Sequence, residues 1–131
     1  MTANEAFFRS VLEQDGAPVV LCDTEHTVVY MNPAAKRRYA AQGGGALVGK
    51  SLRLCHPPEA NARIDRVLTW FRQSEAHNRV YTFRNDEEDK DVYMVALRDE
   101  SGALIGYYEK HEYRARDTGA LYAMDGADGS V

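Results

Sequence analysis

The sequence predicts an α+β domain built on a five-stranded, mostly antiparallel sheet, and three observations carry that prediction. Apolar residues recur at helical spacing in 4–14 and again in 58–72. Three strand-like runs separated by polar turns fill 79–113, and two more short apolar runs, at 17–23 and 27–31, lie close enough to pair as a hairpin. At 131 residues, 44% of them hydrophobic, the chain has the size of one domain and the means to fill one core.

In chain order, Phe7, Phe8, Val11 and Leu12 form one stripe of a first helix, with Asn4 as its cap. Asp15-Gly16 ends it, and 17–23 is short, apolar and β-branched. Thr24-Glu25-His26 is the turn into 27–31. At Asn32-Pro33-Ala34-Ala35 a strong cap, a proline suited to the first helical position and two good helix formers predict a second helix, ending before Gly43-Gly44-Gly45. Residues 46–56 lack periodicity, and Pro57-Pro58 bars any helix from crossing. The long helix that follows, 58–72, turns Ala60, Ile64, Val67, Leu68 and Phe71 to the core. Strands at 79–84, 92–98 and 104–113 close the domain. In the middle one, Val92, Met94 and Ala96 occupy one face and Tyr93, Val95 and Leu97 the other, so both faces of the sheet need cover. Helices on one face, with the N-terminal helix or a second copy of the chain over the other, would supply it, which predicts a homodimer. The domain is expected over 15–114, with 1–14 as a packing or dimer element and 115–131 as a flexible tail.

Composition narrows the function. Sixteen Lys and Arg against 20 Asp and Glu give a formal net charge of −4, the wrong sign for a phosphate backbone, so nucleic acid is not an expected partner. No apolar run approaches the roughly 20 residues that span a bilayer, and no signal peptide opens the chain, so the expectation is a cytoplasmic protein without a membrane partner. Cys22 and Cys55 are expected as free thiols.

Three local signals resemble the PAS fold, as does the order of elements. They are Val28-Val29-Tyr30-Met31 running into Asn32-Pro33-Ala34-Ala35, the step Val48-Gly49-Lys50-Ser51-Leu52, and Arg98-Asp99-Glu100-Ser101-Gly102 followed by Leu104-Ile105-Gly106-Tyr107-Tyr108. Cys55-His56-Pro57-Pro58 is similar to the PAS domain at the C-terminal end of bacterial and archaeal proteins that also carry a hemerythrin-like domain. The resemblance covers residues 5–113. It implies a single-domain sensory module that binds a small ligand or a protein partner and passes its signal in trans to an effector protein. Two departures stand out. Glu112-Tyr113-Arg114 replaces the Asp-Ile-Thr type ending that couples many PAS domains to an output helix, and the Asn-Cys-Arg setting of the flavin-binding subclass is absent, which argues against flavin.

Cys55-His56 is the pair with chemical potential, since a thiol and an imidazole can bind metal or haem iron or act as nucleophile and base. The plainer reading packs Cys55 as a small apolar group and sets His56 to help cap the long helix. A haem held by His56 and a small enzyme using Cys55 and His56 stand as alternatives. His77 and His111 are expected exposed and unliganded, and Asp86 to Asp89 a solvated hairpin tip. A ligand pocket between the inner sheet face and the helices would be lined by His56, Ile64, Leu68, Met94 and Ala96, with Tyr108 offering a hydroxyl.

Overall fold

The computed structural model describes residues 2–124. Helix α1 (Ala3–Gln14) is capped by Thr2, whose hydroxyl accepts from the Glu5 amide at 3.1 Å. A cap must stand outside helical backbone; Thr2 does so and Asn4 lies within the first turn. Strands β1 (Val20–Asp23) and β2 (Val28–Met31) form the expected hairpin. Its turn is tied by Asp23, whose carboxylate accepts from the amides of Glu25 and Thr27, and it places His26 at φ 69°. β1 begins later than residue 17 because the Val19 amide donates to the side chain of Asn32 instead of to a ladder.

Asn32 is fully buried and caps α2 (Pro33–Arg38). Its Oδ1 accepts from the amides of Ala35 and Val19, both at 2.9 Å, while its Nδ2 donates to the carbonyls of Leu12, Asp15 and Ala17. One side chain therefore joins the end of α1, the start of β1 and the start of α2. The second helix stops at Arg38, short of the glycines, and the chain continues in 3-10 turns at Ala40–Gln42 and Gly44–Leu47, around Gly43 and Gly44 with φ of 126° and 54°. A further such turn, Leu52–Cys55, precedes α3 (Pro58–Gln73).

Strands β3 (Arg79–Asn85), β4 (Lys90–Arg98) and β5 (Leu104–Tyr113) complete a five-stranded antiparallel sheet in the order β2-β1-β5-β4-β3. At Gly106 β5 approaches β1 so closely that a Cβ would run into the Cys22 carbonyl oxygen. The end of α3 is fastened to the β4–β5 turn by Arg98, whose guanidinium donates to the carbonyls of Phe71, Ser74, His77 and Gly102. Cys22, Val28, Met31, Met94 and Tyr107 pack on the inner face against Ala35, Leu68 and Phe71.

The outer face carries Tyr93, Val95 and Leu97, as the alternation predicts. The expected cover by the first helix does not form within one chain. α1 has no buried residue, and Phe7, Phe8 and Val11 are 72%, 67% and 70% exposed. Its tethers, Asn32 to the Leu12 carbonyl and Arg9 over the Tyr30 ring at 5.2 Å, lie toward its C-terminal half and at the edge of the sheet, which leaves the stripe free. Residues 115–124 carry no helix or strand and are exposed; the rest of the predicted tail lies outside the described residues.

Candidate functional site

The apolar stripe of α3 divides along its length. Leu68 and Phe71 close the core, whereas Ala60, Ile64 and Val67 one and two turns earlier wall a cavity of about 410 Å³ against β3, β4 and β5. Its exposed lining, Arg63 and Arg66 on α3 with Tyr81 and Phe83 on β3, shows that it opens along the edge strand. Beyond Leu52, His56 and Glu109, which border both spaces, lies a second cavity of about 160 Å³ reaching Met31, Tyr39 and Leu47. A crevice of about 30 Å³ continues between Glu109, Tyr107 and His111.

Glu109 borders all three spaces. Glu109 is accessible to solvent from the cavities, yet the protein packed around it raises its carboxyl above the usual range by desolvation, against the opposing pull of His56, Lys90 and Arg38. No hydrogen-bond donor reaches it among the described residues. Arg38 is spent on a bidentate pair with Glu88, at 2.8 and 2.9 Å, and Lys90 on Glu88 at 3.3 Å. A carboxyl with a raised folded value contributes stability only below its unfolded value and loses that contribution as pH rises. Glu109→Gln is therefore expected to raise the melting temperature at pH 7, by a small amount because solvent reaches the group, with the gain vanishing near pH 4. Thermal melts at the two pH values check this.

Behind the cavity, Tyr107 hydrogen-bonds His26 Nδ1 at 2.8 Å, and His26 Nε2 meets Arg53 at 2.9 Å and Asp65 at 3.2 Å. Arginine can only donate, so Nε2 accepts and the His26 proton sits on Nδ1, donating to the Tyr107 hydroxyl. Burial and the Arg53 charge both lower the His26 value, while Arg53, at 2.6 Å, holds the Asp65 carboxyl down. The chain of contacts runs from the cavity wall on β5, through the β1–β2 turn, to the exposed side of α3. On its inner side the Cys22 thiol, beside Tyr107 in the ladder, is pushed up to about 12 by burial and is inert.

His111 is not the exposed residue that its place near the end of a strand suggests. Its Nδ1 is buried without a partner, and burial, aided by Lys90 and Arg38, pushes it down to about 4. The neutral form thus contributes stability that is present above pH 6.5 and lost as pH falls toward 4. With a discount for partial solvent access, wild type is expected to lose about 2 kcal/mol more than His111→Asn between pH 7 and pH 4. Urea titrations at the two pH values measure it, and equal losses would remove His111 as the cause.

The structure places the six expected pocket residues in three settings. His56, Ile64 and Met94 line the large cavity. Leu68 and Ala96 belong to the closed core and its immediate packing. Tyr108 stands opposite Val95 and Leu21 on the outer face, and the inward hydroxyl is that of Tyr107. His56 does not cap α3, whose cap position is Pro57 without a side-chain bond; the ring turns to the cavities instead. Cys55 is exposed, and no hydrogen bond joins it to His56 among the described residues. His77 stacks on Trp70 at 3.8 Å. Glu88, within the acidic hairpin tip, is held down to about 2 by Arg38, and no group of His, Cys, Asp and Glu among the described residues is arranged to hold a metal ion. Nor is any described helix long and apolar enough to cross a membrane. Glu109, Tyr107 and His26 escaped the sequence reading, although Tyr107, Glu109 and His111 share one face by alternation once Tyr107 is set inward.

The profile of a family described as the PAS fold matches residues 12–110, and the chain belongs to that family. Homologues in it are sensory signalling modules. Among solved structures, a C-terminal domain from Streptococcus mutans is 20% identical, with 86% of this chain and 85% of that one aligned and a TM-score of 0.63. The PAS domain of BvgS from Bordetella pertussis is 17% identical over 88% and 89% of the two chains, with a TM-score of 0.60. A sensory box sensor histidine kinase from Vibrio cholerae is 11% identical over 87% and 94%, with a TM-score of 0.56. At these identities the likeness is one of fold. No curated protein sequence matches the chain.

Proposed function

We propose that this PAS domain is a sensory module whose input is a small molecule bound between α3 and the inner face of the sheet. The observation that carries the reading is the cavity of about 410 Å³, within the roughly 300–1,000 Å³ range of ligand sites, with an apolar wall and a few convergent polar groups, His56, Tyr107 and Glu109. An occupant pressing on Tyr107 would act on His26, Arg53 and Asp65 through the bonds already described, which gives the signal a route from cavity to surface. Native mass spectrometry of the purified protein, with its absorbance spectrum, is the direct test. A retained small mass that is lost in Ile64→Trp, which fills the cavity, supports the reading; retention unchanged in that variant overturns it.

The alternatives separate in the same experiments. A haem held by His56 would give a Soret band lost in His56→Ala, although Glu109 in the same space opposes a macrocycle that carries carboxylates of its own. Turnover that disappears in Cys55→Ser would favour the enzyme reading. A second feature supports self-association: Phe7, Phe8 and Val11 of α1 are exposed, and Tyr93, Val95 and Leu97 stand on the outer face of the sheet, apolar surface that another copy would cover. Sedimentation should then show a dimer that Val95→Arg with Phe8→Glu converts to monomer, and a monomeric wild type would refute it. The narrower kinship to domains accompanying hemerythrin-like proteins rests on Cys55-His56-Pro57-Pro58 alone.

A further inference from the structure

We propose that the ligand class of this cavity is a small organic amine with an apolar body, its ammonium group paired with Glu109. The assignment rests on reading the cavity as a ligand site and adds the chemistry of the occupant.

Glu109 is the reason. Placed on β5 among Leu52, Tyr107 and His56, it borders three adjoining cavities and receives no hydrogen bond among the described residues. Glu109 is accessible from the cavity, so an occupant that fills this space takes the water from its carboxylate, and without a partner in the protein that loss is unfavourable unless the occupant supplies one. The lysine and arginine near enough to feel it are already committed elsewhere: Arg38 grips Glu88 with two bonds, and Lys90 is divided between Glu88 and the Tyr113 hydroxyl. His56 shares the cavity wall and Arg63 and Arg66 stand at its mouth, but among the described residues none of them is hydrogen-bonded or ion-paired to Glu109, so its carboxylate stays open to a partner that enters the cavity.

The rest of the cavity selects the remainder of the molecule. Ile64, Val67, Val80 and Met94 present hydrocarbon and a thioether, suited to an aliphatic or aromatic body. An anionic ligand would have to leave Arg63 and Arg66 at the mouth in order to sit against Glu109, and a neutral one would bury the carboxylate further while leaving its charge unmatched. An ammonium group answers the charge and supplies donors to an acceptor-only group. The binding step transfers no atoms and needs no co-reactant.

Isothermal titration of the full chain at pH 7 with phenethylamine, phenethyl alcohol and phenylacetate tests the assignment, since the three share a body and differ in the group offered to Glu109. The amine is expected to bind with a Kd below about 1 mM, and the alcohol and the carboxylate at least about tenfold more weakly. Glu109→Gln should weaken the amine about tenfold or more while leaving the alcohol within about twofold. That variant is expected to melt above wild type, so loss of binding would not reflect loss of fold. Ile64→Trp should abolish binding of all three, which separates the cavity from adventitious pairing at the surface. If the alcohol or phenylacetate binds while the amine does not, or if Glu109→Gln leaves the amine unaffected, the amine assignment falls and the cavity reading stands. If none of the three binds wild type, both fall.

Discussion

Asn32→Ala is expected to destabilise the protein by about 3–4 kcal/mol, a fall in melting temperature of roughly 15 °C. The side chain is fully buried and makes five hydrogen bonds: two received from the amides of Val19 and Ala35, three donated to the carbonyls of Leu12, Asp15 and Ala17. Loss of an N-cap alone costs about 1 kcal/mol. The remainder comes from backbone groups left without partners where water enters poorly. Asn32→Ser, which can still cap α2 but cannot reach the three carbonyls, should recover about 1 kcal/mol. Asn32→Asp should recover little, because a carboxylate would face three carbonyl oxygens. Limited proteolysis supplies a second readout, with cleavage near Asp15-Gly16 rising in all three variants as α1 loses its tether. A melt of Asn32→Ala within about 3 °C of wild type would show that the network carries no net stability.

Gly106→Ala carries the next largest effect, about 3 kcal/mol of destabilisation. The obstacle to its methyl group is backbone, the Cys22 carbonyl oxygen, with the Cys22 carbonyl carbon and Asp23 Cα at 3.1 and 3.2 Å behind it. A flexible side chain could rotate away; a strand paired on both sides cannot. β1 and β5 would have to part where Cys22 faces Tyr107 and Asp23 faces Gly106. Chemical denaturation should register the loss, and hydrogen exchange should place it at the β1–β5 ladder. Unaltered protection of Cys22 and Tyr107 amides would contradict this account.

How far residues announce their places differs along the chain. Asn32-Pro33 and Pro57-Pro58 act locally, through a cap, a fixed φ and a missing donor, so the helices they start could be read directly. The end of α2 could not, because the turns after Arg38 depend on left-handed backbone at Gly43 and Gly44 rather than on any side-chain pattern. The cavity was half visible. Ile64 and Met94 follow from periodicity, but whether a helix stripe meets core or empty space depends on how far α3 stands from the sheet at each turn, a tertiary quantity. Tyr107 and Tyr108 are adjacent and chemically alike, and only the register, with its irregularity between Leu97 and Arg98, decides which faces inward. Choosing Tyr108 hid Glu109 and His111 as well, since all three inward residues move together. His26 looked like a turn residue and is one; its buried ring contacts depend on Arg53 and Asp65, brought up from distant positions.

The opening of the large cavity along β3 has a bearing on time. β3 ends the sheet and pairs with β4 alone, so the mouth between it and α3 is bounded by side chains, and no ladder bond need break for a small molecule to pass. Entry and exit through such a mouth are governed by diffusion and side-chain rotation, in contrast to fully enclosed sites that wait for local unfolding. On the function proposed above, a domain built this way would follow the concentration around it from moment to moment and keep no memory of an earlier exposure.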